Sequence, residues 1–93
     1  MKITVRFFAA LREIVGKKEE TLRFPNKEVT IEKAFKLLIE RYGKDFVEYV
    51  FDEQSGEIRS YLQLLVNEKS VNALKTKLKD GDILVIVPPV GGG

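Results

Sequence analysis

Ninety-three residues with neither cysteine nor histidine make one domain around one core, and exclude disulfides, thiolate nucleophiles, imidazole triads and Cys/His metal sites. Sixteen lysines and arginines against fourteen acidic residues leave a formal charge of +2, with the signs interspersed, so no basic stripe is offered to nucleic acid. No apolar run approaches the ~20 residues of a membrane span, and the N-terminus lacks the apolar centre of a signal peptide; a cytoplasmic protein with no metal, nucleic-acid or membrane partner is expected.

Residues 2–8 alternate. Ile3, Val5 and Phe7 fall on one face of a strand and are assigned to the core, while Lys2, Thr4, Arg6 and Phe8 fall on the other. Phe8 is a large apolar residue on an otherwise polar face, so it is either covered by a loop or a docking residue. Ala9 to Val15 reads as a short helix, with Leu11, Ile14 and Val15 at i, i+3 and i+4 and Gly16 as its left-handed stop. After the polar run 17–20, the stretch from Glu20 to Phe24 alternates again, with Leu22 and Phe24 inward and Pro25-Asn26 closing the strand. These two strands are expected to pair antiparallel.

Thr30 is the expected N-cap of the main helix, with Glu32 in the first turn where the helix dipole favours it. Ile31, Ala34, Phe35, Leu38 and Tyr42 share one face, and Gly43 ends the helix. A single amphipathic helix of about twelve residues needs a sheet to bury that face. Asp45 and Glu48 resemble a capping box opening a second short helix, and residues 52–57 read as a turn.

Residues 61–67 form a third strand, with Leu62, Leu64 and Val66 inward and Gln63, Leu65 and Asn67 outward. A brief strand follows near Ser70-Val71. Residues 72–79 read as a polar connection pinned by Leu74 and Leu78. Asp80 and Asp82 flank Gly81 in a tight turn, a more economical role for them than a metal pair. The run Ile83-Leu84-Val85-Ile86-Val87 is short, apolar and mostly β-branched, as a central strand should be. The predicted fold class is α+β: a mixed sheet of four to five strands over residues 1–87, with the main helix across one face. The first and last strands should lie side by side in the middle, with the tail leaving at an edge.

Pro88 and Pro89 stop the last strand, because neither donates a ladder hydrogen bond and both hold φ near the polyproline value. Val90 and three glycines follow. Residues 88–93 therefore read as a tail, stiff where it leaves the sheet and thin at its tip, with a reach of roughly 20 Å at ~3.3–3.6 Å per residue. At the tip stands the α-carboxylate of Gly93. Such a tail suits chemistry on that carboxyl group.

Three stretches together resemble the small subunit of molybdopterin synthase, in the MoaD/ThiS group of ubiquitin-like β-grasp sulfur carriers. They are Val5-Arg6-Phe7-Phe8-Ala9-Ala10-Leu11-Arg12-Glu13-Ile14-Val15-Gly16, then Leu65-Val66-Asn67, then Leu78-Lys79-Asp80-Gly81-Asp82 followed by Pro88-Pro89-Val90 and glycines. The resemblance implies a β-grasp fold. It also implies that an adenylating enzyme related to ubiquitin activators uses ATP and Mg²⁺ on the Gly93 carboxylate, and that sulfur from a persulfide donor displaces AMP to leave a thiocarboxylate. The tail would then enter the large synthase subunit and give its sulfur to the pterin precursor of the molybdenum cofactor. Gly93 carries the acyl group in this scheme, and Gly91 and Gly92 thread the channel. Arg6, Phe8, Val85, Val87, Pro88 and Pro89 form the docking patch. No cofactor is bound by the chain itself, which acts as a non-autonomous sulfur-carrier subunit.

This sequence departs from the family pattern in its third terminal glycine, in Ser70 where an apolar docking residue is expected, and in a longer 44–60 segment. The same activation chemistry serves small modifiers conjugated to lysines and carriers for tRNA thiolation. A noncovalent β-grasp adaptor is a further alternative, and fold and tail alone do not choose among them.

Overall fold

The alternating N-terminal segment forms strand β1 (Lys2–Arg6), with Ile3 and Val5 fully buried, in a computed structural model that describes residues 1–88. Helix α1 (Ala9–Val15) follows and ends at Gly16, whose φ of 76° is left-handed and whose N–H donates to the Arg12 carbonyl at 2.8 Å. Strand β2 (Glu19–Arg23) returns antiparallel to β1, with Ile3 opposite Leu22 and Arg6 opposite Glu19.

Helix α2 (Ile31–Tyr42) is capped as expected: the Thr30 Oγ1 accepts the Lys33 N–H at 3.2 Å. Its Ile31, Ala34, Phe35 and Leu38 are buried in the same core as β1 and the other strands. Helix α3 (Lys44–Val50) adds Phe46 and Val50, and Phe35 meets Phe46 and Phe51 edge-on, with ring centroids 6.1 and 5.8 Å apart. The expected capping box does not form. Gly43 occupies the N-cap of α3, where it has no side chain to offer, and Asp45 lies inside the first turn.

The C-terminal half supplies β4 (Gln63–Val66), β5 (Lys69–Val71) and β7 (Ile83–Val87). The main sheet has five strands in the order β2-β1-β7-β4-β5. β1 and β7 run parallel at its centre, and every other pairing is antiparallel. The tail does not leave at an edge of the sheet, where the sequence suggests it should. Pro88 leaves from the C-terminal end of the central strand, flanked by β1 on one side and β4 on the other, and not from a lateral edge. A second, two-stranded sheet pairs β3 (Glu28–Thr30) with β6 (Lys77–Lys79). The expected polar connection at 72–79 thus contains a strand, which buries Leu78 and leads Val29 to the start of α2.

Two turns lock the central strands. Asn67 and Glu68 both take positive φ, 50° and 73°, in the two-residue turn between β4 and β5, the conformation that follows the twist of a hairpin. The Asn67 side chain then reaches across to β7: its Oδ1 accepts from the Ile83 N–H and its Nδ2 donates to Asp82 Oδ1. Asp82 also accepts from the Lys79 N–H, and Asp80 accepts from the Lys2 N–H at 2.7 Å. The aspartates hold the turn and tie it to β1 and β4, which is why these residue types sit at those positions.

Glu20 is the one buried charged residue among those described. It lies opposite Val5, on the core face of β2. Its carboxylate accepts from Lys17 at 2.6 Å and from Arg41 at 2.8 Å. Burial pushes this carboxyl up, but hydrogen bonds from Lys17, Arg41 and Tyr42 more than offset that and hold it at about 2. The same cluster raises the Tyr42 hydroxyl, through burial and then its bond to Glu20. No helix of the described residues is long and apolar enough to cross a membrane.

Candidate partner-docking face and tail exit

The helices cover one face of the main sheet and leave the other open. Period-two alternation puts Thr4 and Arg6 of β1, Ile83, Val85 and Val87 of β7, and Gln63 and Leu65 of β4 on that open face. The register brings them into rows. Arg6 is level with Val85, Val85 with Leu65, and Leu65 with Ser70. Thr4 is level with Ile83, and Val87 with Gln63. The result is a short apolar stripe, Val85 and Leu65, bordered by Arg6 on one side and Ser70 on the other.

Arg6 lies near Glu19 at 3.7 Å, with both side chains about half exposed. A pair so exposed is worth little to stability and leaves the guanidinium accessible. Ser70 is occupied locally: its Oγ accepts from Gln63 Nε2 at 3.0 Å. The stripe therefore ends in a small polar pair.

Phe8 stands two residues beyond Arg6 in extended backbone, φ −130° and ψ 156°, and is 37% exposed. The next residue, Ala9, takes φ 51°, a left-handed conformation that costs a non-glycine residue roughly 1–2 kcal/mol. That abrupt turn into α1 separates Phe8 from the buried Phe7. The Arg12 guanidinium carbon lies 5.7 Å from the Phe8 ring centroid, and its Nε donates weakly to the Phe7 carbonyl at 3.4 Å. Phe8 is thus braced by a cation and exposed to solvent, as a docking residue would be.

Of the residues expected in the patch, Arg6, Phe8, Val85, Val87 and Pro88 fall on or beside this face, at the end where β7 leads out. Pro89, Gly91, Gly92 and Gly93 lie outside the described residues. Alternation turns Leu65 outward but does not by itself join it to the patch. Only the antiparallel pairing of β4 with β7 puts it beside Val85.

Among the described residues, no cluster of three or more acidic, histidine or cysteine side chains could hold a metal. A groove of about 530 Å³ opens on the helical side, lined by Ile39, Val47, Phe51 and the exposed Lys44–Glu48 pair. What this arrangement offers chemically is a rigid sheet face that presents the strand leading into the tail.

Residues 5–93 match the ThiS family. Small archaeal modifier protein 3 of Haloferax volcanii is 31% identical over 96 residues, covering the whole of both chains. The molybdopterin synthase sulfur carrier subunit of Drosophila melanogaster is 30% identical over 95 residues, covering all of this chain and 92% of that one. The crystal structure of SAMP1 from Haloferax volcanii has a TM-score of 0.85 at 26% identity, with both chains covered fully. A chain from the protein–protein complex of subunits 1 and 2 of the molybdopterin-converting factor of Helicobacter pylori has a TM-score of 0.60 at 25% identity, again over the whole of both. With this sheet order, this helix placement and these relatives, the chain belongs to the ThiS family of ubiquitin-like, β-grasp sulfur carriers and small modifiers.

Proposed function

We propose that this protein is the sulfur-carrying small subunit of a molybdopterin synthase, working through the carboxyl group of Gly93. The carboxylate is a poor electrophile. Attack on the α-phosphate of ATP, with loss of pyrophosphate, converts it to an acyl-adenylate with a good leaving group. Persulfide sulfur displaces AMP, and thiol reduction of the resulting acyl disulfide frees the thiocarboxylate. That group is a soft nucleophile on a short tether, delivered to a site where the large subunit supplies acids and bases. Gly91 and Gly92 would pass the channel, Pro88 and Pro89 would stiffen the approach, and Arg6, Phe8, Leu65, Val85 and Val87 would seat the sheet on the partner. ATP and Mg²⁺ belong to the activating enzyme.

The observation that carries this reading is the continuity of the open apolar face with β7, the strand that runs into the tail. The kinship with a molybdopterin synthase sulfur carrier subunit over the full chain supports the pterin as acceptor. The full-length kinship with a small archaeal modifier supports a second reading, conjugation to lysines or sulfur supply to tRNA, by the same activation. Presenting the thiocarboxylated chain in parallel with the large subunit plus pterin precursor, with a cell extract containing lysine acceptors, and with an unthiolated tRNA system separates them. The proposal expects sulfur transfer to the pterin. Isopeptide conjugates or thiolated tRNA, with no pterin product, would replace it by the second reading.

A further inference from the structure

Phe8 and Tyr61 are the two large hydrophobic side chains that stand exposed among the described residues, at 37% and 53%. They lie at the same end of the molecule. Phe8 follows β1, which runs parallel to β7, by two residues beyond the Arg6–Val85 pair. Tyr61 precedes β4, which runs antiparallel to β7, by two residues before the Gln63–Val87 pair. Strands on either side of β7 are separated by ~10 Å, so the two aromatics flank the strand end from which Pro88 departs. Tyr61 is held in place locally: the Leu62 N–H donates to the Arg59 carbonyl at 3.0 Å, and Arg59 anchors on the Glu48 carbonyl at the end of α3 with two bonds of 3.0 and 2.8 Å. Tyr61 is also close enough to Tyr49 of α3 to help raise the Tyr49 hydroxyl, after burial, the larger cause.

Tether length says what must cover this end. From Pro88 to Gly93 there are five further residues, which span at most ~18 Å even when fully extended. An enzyme that closes its active site around the Gly93 carboxyl therefore has to bring its surface up to the end of the sheet. Activation is common to the pterin, tRNA and lysine fates, so the adenylating enzyme is the one partner every version of the carrier reading requires. Tyrosine suits such a contact, combining a large rigid ring with a polar tip and little rotamer entropy to lose.

We infer that Tyr61 is a contact for the activating enzyme on the opposite flank of the tail from Phe8, and that it sets how tightly the carrier is held rather than how fast it is adenylated. The inference rests on the carrier reading above. Its test is ATP–pyrophosphate exchange with the full-length chain and its cognate adenylating enzyme, using wild type, Tyr61→Ala and Tyr61→Phe. Tyr61→Ala should raise KM for the carrier about tenfold with kcat within about twofold, and Tyr61→Phe should keep most of the wild-type KM because the ring makes the contact. Because the side chain is exposed, all three should unfold at the same temperature. An unchanged KM for Tyr61→Ala, alongside a raised KM for Phe8→Ala, would overturn the inference and leave the carrier reading intact. No exchange with wild type, under conditions where the enzyme activates another carrier, would overturn the carrier reading and this inference with it.

Discussion

Replacing Glu20 by glutamine removes a buried charge while keeping nearly the same shape. The carboxylate is 6% exposed and sits between Lys17 and Arg41. Its ordinary value is 4.5, and the folded protein holds it at about 2. At about 1.36 kcal/mol per pH unit, that gap sets an upper figure of roughly 3 kcal/mol. Lys17 and Arg41 keep 55% and 42% of their side chains exposed, so solvent screening reduces the expected contribution to about 1–2 kcal/mol. The sign follows from proton uptake. Between pH 4.5 and about 2 the unfolded chain binds more protons than the folded one at this site, so the contribution is complete above that window and is lost as pH falls through it. Urea unfolding followed by circular dichroism at pH 7, 4 and 2.5 measures it. Glu20→Gln should be less stable than wild type by about 1–2 kcal/mol at pH 7, or several degrees in Tm at about 4–8 °C per kcal/mol. The two proteins should converge towards pH 2.5. A gap that stayed constant from pH 7 to 2.5 would refute the ionic account and leave only shape or hydrogen bonding.

Three further outcomes are expected. Leu84→Ala empties a fully buried site on the central strand and should cost about 2–5 kcal/mol in chemical denaturation. Thr30→Ala removes the hydroxyl that accepts the Lys33 N–H and should cost about 1 kcal/mol, while Thr30→Asn retains most of the stability. Leu65→Asp places a charge in the middle of the open face beside Val85; it should leave the fold intact by circular dichroism and weaken binding of the large subunit at least about tenfold in calorimetry.

Much of this architecture was legible because it rests on local rules. The period-two alternation around Ile3 and Val5, the Thr30 cap, the left-handed Gly16 and the apolar run at 83–87 each needed only their neighbours to be read. The features that escaped depend on partners far along the chain. Three-residue strands such as Glu28–Thr30 and Lys77–Lys79 are too short to show a period, and exist because each satisfies the other's backbone. Glu20 ends the polar run 17–20 and opens the alternating stretch 20–24, where its parity with Leu22 points inward, but the cation that makes burial tolerable, Arg41, lies 21 residues away. Asp45 and Glu48 had the spacing of a capping box, yet Gly43 had already turned the chain into α3.

The docking face divides along the same line. Phe8 stood out as an apolar residue on a polar face, and alternation alone found it. Alternation turns Leu65 outward, but its membership of the stripe depends on the β4–β7 register. Tyr61 opens the alternating stretch 61–67, but β4 begins only at Gln63 and Tyr61 lies in the turn before it, so it gains meaning only from its position beside the departing strand. The Leu65-Val66-Asn67 and Asp80-Gly81-Asp82 segments contribute structurally. Asn67 and the two aspartates secure the turns that hold β1, β7 and β4 together, and so fix the direction in which β7 points.

The most direct test of the central claim is the intact mass of the full-length protein after incubation with ATP, Mg²⁺, the adenylating enzyme and a persulfide donor. A gain of about 16 Da is expected, one oxygen replaced by one sulfur at the Gly93 carboxyl, dependent on ATP and absent when the C-terminus is amidated. An unchanged mass, with the same enzyme thiocarboxylating another carrier, would contradict it and leave a noncovalent adaptor as the better description.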